Sequence, residues 1–331
     1  MKKYHFSMIL SEFHLFKVLP MYVSLSKYCD DFELFILAMN DSVDKVLNKI
    51  GFENITVVKL EELEKSNTNL TIAKSNRTFH EYCWTLKPVF LEYIINKYSD
   101  AVYYAHVDAD LFFFSNIDSI FNENSNASIF LTDHRNSEEF MHYYELSGQF
   151  NTGFVGFRNT DEGKAAIKLW RDRCLKRCTA EYDTINKTFG DQRYVEDWID
   201  IFKDVHVVKS IGANVAFWNV KNYEFSKVDD LIYVNNQPLI FYHFCALVTL
   251  GPKEVELCSV YTIKDRELLN LVYEPYIKYL SYGINELKKE FPWFNSGFID
   301  KNNISEFKNY RIIELYRGVK PSIFIYLKST Q

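Results

Sequence analysis

Asp108 and Asp110 stand two residues apart at the end of the apolar run 101–107, so on an extended chain both carboxylates leave on one face and can share a ligand. Two carboxylates with no thiol beside them suit a hard divalent ion, Mg²⁺ or Mn²⁺, which bridges protein oxygens and substrate phosphates. The plain alternative is that the pair turns the chain and caps a helix.

Four further polar clusters interrupt the apolar text downstream. Phe150-Asn151-Thr152-Gly153-Phe154-Val155-Gly156-Phe157 puts an amide and two glycines in a β-rich run, where glycine marks close approach of a ligand or backbone. Phe189-Gly190-Asp191-Gln192 puts a carboxylate and an amide at a helix start, with N-capping by Asp191 as the structural alternative. Gly212-Ala213-Asn214-Val215-Ala216-Phe217-Trp218-Asn219 follows, and then Leu239-Ile240-Phe241-Tyr242-His243-Phe244. On pattern alone, His243 fits a satisfied core histidine better than a metal ligand.

These groups need a scaffold, and the first hundred residues alternate short β-rich runs with helical patterns. Strands are expected at 4–10, 32–39, 55–60 and 101–107, then at 127–131, 150–158 and 205–208. Helices are expected at 11–28 with Pro20 in the first turn, at 40–50 ending at Gly51, and at 79–98 broken or kinked at Pro88. Two more are expected at 162–178 and 191–202, and the polar stretch 61–77 carries no element. The alternation predicts an α/β fold, a mostly parallel central sheet flanked by helices, with ligands at the carboxyl ends of the strands, where the Asp pair sits.

Taken in order, the motifs resemble a GT-A glycosyltransferase over roughly residues 1–250, similar to bacterial family 8-like retaining transferases. The residues that carry the resemblance are Glu81-Tyr82-Cys83-Trp84-Thr85-Leu86-Lys87-Pro88, Asp108-Ala109-Asp110, Phe150-Asn151-Thr152-Gly153, Gly190-Asp191-Gln192 and Tyr242-His243-Phe244. The resemblance implies that Asp108, Asp110 and His243 hold Mn²⁺ or Mg²⁺ against the diphosphate of a nucleotide-sugar, a UDP-sugar by preference. It implies that Asn151 contacts the donor, that Asp108 also reaches the nucleotide, and that Asp191 and Gln192 lie beside the transferred sugar. Arg77 or Lys87 would then place positive charge by the leaving diphosphate. The expected activity is metal-dependent transfer, with retention, to a glycan or lipid-linked acceptor, as in polysaccharide biosynthesis. The chain departs from similar sequences after His243-Phe244: Cys245-Ala246 stands where a His or small residue and then glycine are common. Two alternatives are a noncatalytic nucleotide-sugar or carbohydrate-binding protein and a nucleotidyltransferase. The latter class usually has a Gly-rich phosphate loop after the first strand, and Ile9-Leu10-Ser11-Glu12-Phe13-His14 has no glycine.

Composition bounds the reading. With 331 residues, 47% hydrophobic and 17% aromatic, and only 11 Gly and 7 Pro, the chain builds a large core and is neither disordered nor fibrous. Its net charge of −6 argues against a nucleic-acid partner. The six cysteines form no C-x-x-C pair, and Cys174 and Cys178 read as free thiols rather than a metal pair or disulfide. No signal-peptide core and no membrane-length apolar run is present, so a cytoplasmic location is expected. The organisation expected is a transferase domain over 1–259, with nucleotide-sugar binding mainly in 1–131 and the acceptor side mainly in 132–259, followed by an extension over 260–331. That extension carries +3 against −9 for the body, and is rich in Tyr273, Tyr276, Tyr279, Tyr282, Phe291, Trp293 and Phe294. It reads as a helical layer packed on the body or, less favoured, as a peripheral dock on the anionic inner leaflet of a membrane.

Overall fold

In the computed structural model, which describes residues 3–313, the apolar runs become strands, the central ones covered on both faces and the edge strands half-buried. In chain order they are Tyr4–Leu10 (β1), Phe32–Ala38 (β2), Ile55–Lys59 (β3), Tyr103–Val107 (β4), Leu111–Phe113 (β5), Ile129–Asp133 (β6), Phe150–Arg158 (β7) and Val205–Val207 (β8). All but β5 join one seven-stranded sheet, ordered β3-β2-β1-β4-β7-β6-β8, in which β7 alone runs against its neighbours. Alternate side chains feed opposite cores: Leu34 and Ile36 of β2 enter one apolar cluster, Phe35 and Leu37 the other. The helices Val18–Tyr28 (α1) and Asp41–Ile50 (α2) pack into the first cluster, and Phe79–Lys97 (α3) and Asp161–Lys176 (α4) into the second. The result is the expected αβα layering, a mostly parallel sheet flanked by helices.

Several expectations are corrected locally. The helix expected over 11–28 starts as a 3-10 turn, Glu12–Lys17, before α1, whose third residue is Pro20. The stretch 61–77 folds into two short helices, Leu60–Ser66 and Asn69–Ser75, because Leu63, Leu70 and Ala73 reach the second core through otherwise polar text. Pro88 does not break α3, which runs unbroken from a capping box in which Thr78 and Glu81 satisfy each other's backbone N–H groups. Such a cap contributes about 1 kcal/mol. The helix expected over 191–202 is two short pieces, Gln192–Val195 and Trp198–Ile201.

The second half of the chain adds small sheets. Val215–Ala216 (β9) precedes a meander of Phe225–Val228 (β10), Leu231–Val234 (β11) and Gln237–Pro238 (β12), then Phe241–His243 (β13). Strand β13 pairs with β5 on one side and β9 on the other. Val248–Gly251 (β14), Glu254–Glu256 (β15) and Tyr310–Ile312 (β16) form a further small sheet, antiparallel throughout.

The aromatic extension is largely core. Tyr276, on the helix Glu274–Glu290 (α5), stacks on Phe244 at 3.8 Å between ring centroids and 7° between planes, and Phe294 meets Phe16 edge-on. Tyr273, Tyr276 and Phe294 are buried, while Tyr279, Tyr282 and Phe291 pack half-buried on the first cluster. Of the residues singled out, Trp293 alone is exposed. The packed-layer reading therefore accounts for the tail up to residue 313, and residues 314–331 lie outside the described residues. No helix among the described residues is long and apolar enough to cross a membrane.

Candidate active site

Two irregularities at the carboxyl end of the sheet bring the site together. The first is a bulge in β7. Leu131 pairs with Val155 and the next residue, Thr132, with Asn151, so Thr152, Gly153 and Phe154 have no partners on β6 and loop toward β4. The Thr132 hydroxyl spans this loop by donating to the carbonyls of Asn151 and Phe154. The second is the exit from β4: Asp108 N–H donates to the Gly153 carbonyl at 2.9 Å, and the chain turns through Asp110 directly into β5.

Strand β13 pairs antiparallel with β5, with His243 opposite Leu111, and Phe244 N–H donates to the Asp110 carbonyl at 2.8 Å. The imidazole is thereby set beside the Asp pair. His243 Nε2 lies 3.1 Å from Asp110 Oδ1 and 3.9 Å from Asp108 Oδ2. The ring also packs directly on Gly153, where a Cβ would sit 2.5 Å from His243 Cε1, so any larger residue there must displace its neighbours. Trp218 meets the ring edge-on at 5.5 Å. One ligand atom from each of Asp108, Asp110 and His243 falls within 4.8 Å of the others. Two carboxylate oxygens and an imidazole nitrogen fit a hard divalent cation, and the buried ring turns Nε2 toward the carboxylates while Nδ1 has no hydrogen-bond partner.

Each carboxylate of the pair has its own buried ammonium. Lys87 Nζ, from the interior of α3, lies 3.0 and 3.1 Å from the two Asp108 oxygens, and His106 Nε2 lies 3.0 Å from Oδ1. Ser7 Oγ at 3.2 Å from the other nitrogen of His106 lets Nε2 donate to Asp108. Lys17 Nζ lies 3.4 Å from Asp110 Oδ2. Burial pushes both carboxyls up, but it is outweighed at Asp108 by Lys87, His106 and His243, and at Asp110 by Lys17 and His243. Both are held below the usual carboxylate range.

Asp191 is set differently. Gly190, at φ 55° and close against Trp84, turns the chain so that the Asp191 side chain points inward; it caps no helix and accepts from the Thr152 hydroxyl at 2.7 Å. Lys87 Nζ is 4.0 Å away, and the Trp170 indole donates to the Asp191 carbonyl. Burial pushes the carboxyl above its ordinary value despite Lys87 and Thr152.

A cavity of about 340 Å³ is lined by Lys87, Asp108, Asp110, Asn151, Asp191, Gln192 and His243, so seven of the eight residues singled out in the sequence share one space. The amide of Asn151 is occupied within the protein: its oxygen accepts from Gly153 N–H and its nitrogen faces His134 Nε2 at 3.3 Å. The Gln192 amide nitrogen donates to the Ser147 carbonyl. Arg77 is the exception. Its guanidinium donates to Thr85 Oγ1 and to the Leu175 carbonyl and does not line the cavity; of the two cations expected there, Lys87 alone lines it. Sequence reasoning assigned no role to Lys17, His14 or His106, and none of their own to Trp84 and Thr152, although these two stand inside the motifs it quoted. His106 carried a readable signal, being two residues before Asp108 and so on the same face of β4. His14 also lines the cavity, its imidazole pushed down to about 4 by burial and by Lys17.

No family model matches the chain. The Bacillus subtilis (strain 168) protein YfnD, itself uncharacterized, is 50% identical over 306 residues, which covers 92% of this chain and 98% of YfnD. YfnF of the same organism, also uncharacterized, is 30% identical over 302 residues, covering 89% of this chain and 97% of YfnF. Among solved structures, the galactosyltransferase LgtC in complex with donor and acceptor sugar analogues aligns with a TM-score of 0.56 at 11% identity, over 88% of this chain and 100% of that one. That likeness establishes a GT-A type fold.

Proposed function

The chain belongs to the family of YfnD and YfnF, and we propose that it is a metal-dependent glycosyltransferase that moves a sugar from a nucleotide-diphosphate-sugar to a glycan or lipid-linked acceptor. The observation that carries the reading is the convergence of Asp108, Asp110 and His243 with Asn151, Asp191 and Gln192 on one cavity at the carboxyl end of a GT-A sheet. Asp108, Asp110 and His243 would hold Mn²⁺ or Mg²⁺. The bound ion would supply positive charge to the diphosphate as it leaves.

The chain's own groups do the rest. Lys87 adds a fixed positive charge beside Asp108, in a buried setting where such charges act strongly. Asp191 and Gln192 border the sugar, whose anomeric carbon gains positive character as the bond to phosphate breaks. Retention through a front-face route is favoured: the acceptor oxygen bonds to the anomeric carbon on the side the phosphate leaves, and the acceptor proton passes to the departing phosphate oxygen. Asp191 then stabilises charge without forming a bond. UDP is the favoured nucleotide, on resemblance.

A panel of nucleotide-sugars incubated with and without Mn²⁺ tests this. Release of the nucleoside diphosphate from one sugar donor, slow with water and dependent on Mn²⁺, is expected. Binding without turnover makes the protein a nucleotide-sugar-binding module, and pyrophosphate release makes it a nucleotidyltransferase.

A further inference from the structure

Lys17 closes the 3-10 turn that follows β1 and is only 5% exposed. It does not line the cavity but lies behind Asp110, with Nζ 3.4 Å from Oδ2, while Oδ1 of the same carboxylate faces His243 Nε2. A lysine so deeply buried needs a counter-charge, and Asp110 provides it. Because Oδ2 is engaged from behind, Asp110 presents Oδ1 to the metal corner.

The same pairing sets the charge of the site. Asp108, Asp110 and Asp191 are matched by the ammonium groups of Lys17 and Lys87, leaving one net negative charge for an incoming divalent ion. Affinity for hard cations follows the charge of the ligand set, so a bare ion gains little here, and an ion arriving with an anion gains much more. Lys17 and His243 contact different oxygens of Asp110, so the two contacts do not compete for one atom.

We propose that Lys17 is a positioning residue that weakens the Asp110–His243 corner toward a bare divalent cation, so that the ion is held firmly only together with a nucleoside diphosphate. The inference rests on the function proposed above and adds the rule by which the ion and the diphosphate enter and leave.

The test is Mn²⁺ titration of the full chain, followed by loss of the free-ion electron paramagnetic resonance signal, with and without UDP. Lys17→Met keeps the aliphatic length and removes the charge. It is expected to bind Mn²⁺ alone about tenfold more tightly than wild type and to narrow the gap between the two conditions, while Lys17→Arg stays within about twofold of wild type. Should Lys17→Met fail to fold, Lys17→Gln is held to the same expectation. If the neutral variant binds bare Mn²⁺ no more tightly, while wild type takes up Mn²⁺ with UDP and His243→Ala does not, the role of Lys17 is wrong and the reading of the site stands. If wild type takes up no Mn²⁺ even with UDP, both fall.

Discussion

Asp108 and Asp191 face the same ammonium, that of Lys87, yet their carboxyls are displaced in opposite directions. Burial pushes both up. At Asp108 it is overcome by Lys87 at 3.0 Å and by His106 and His243, whereas at Asp191 Lys87 stands at 4.0 Å and the nearest donor is the neutral hydroxyl of Thr152. An ångström of distance and the neighbouring imidazoles decide the sign. The Asp108–Asp110 corner is thus kept ionised. The Asp191 corner holds a poorly compensated carboxyl, which under the proposed function is the condition that most favours positive charge developing on the sugar.

The largest effect is expected at the metal corner. Asp110→Ala should abolish Mn²⁺-dependent turnover, and it should also lower the melting temperature by several degrees, since it strands the Lys17 ammonium without its partner at a cost of about 3–5 kcal/mol. A pair of bare carboxylates would repel and contribute little to stability; here each carries its own lysine. Lys17→Met combined with Asp110→Ala should recover the melting temperature but not the turnover, which separates pairing from catalysis.

At the other corner, Asp191→Asn should lower turnover by about 100-fold while UDP binding stays within about twofold, because the contact is with the reacting sugar. Equal losses in both measurements would assign Asp191 to donor holding and erase the contrast. A smaller effect is expected at Gly153→Ala, whose added Cβ must push the His243 ring off the Asp pair. Mn²⁺ affinity in the presence of UDP should fall about tenfold, as measured by titration calorimetry.

The smallest effect is a pH dependence. The Asp191 carboxyl is raised in the folded state, so the fold binds its proton more tightly than the unfolded chain, whose value is about 3.9. Stability attributable to this group therefore falls as pH rises from about 4 through the raised folded value, and then levels. Asp191→Asn lacks that loss and should melt above wild type at pH 7, with the difference vanishing near pH 4. Asp108 works the other way: its pairing stabilises the fold above the ordinary carboxylate range, and that stability is lost as pH falls toward its depressed folded value.

Local pattern explains which parts were readable. β1 and β7 match the expected bounds, because apolar runs bounded by polar residues define a doubly covered strand without outside help. The Asn151-Thr152-Gly153 segment was readable as a place of close approach, but its bulge and the ring it receives were not, since both depend on β6 and β13. Arg77 was named with Lys87 as a cation for the leaving diphosphate, on the resemblance and the chemistry. Thr85 and the Leu175 carbonyl, the latter brought by the packing of α4 on α3, claim its guanidinium.

By itself the sequence determined the layering of helices on a buried sheet, the delivery of Asp108 and Asp110 to one strand end, and the membership of His243 in an apolar strand. These follow from periodicity, which is a property of neighbours in the chain. Only the tertiary structure decided that β13 lies beside β5, so that His243 reaches Asp110, and that Lys17 and Lys87 approach the two carboxylates from separate elements. Burial and Coulomb interaction depend on distances in space, and those are set only once the strands have paired.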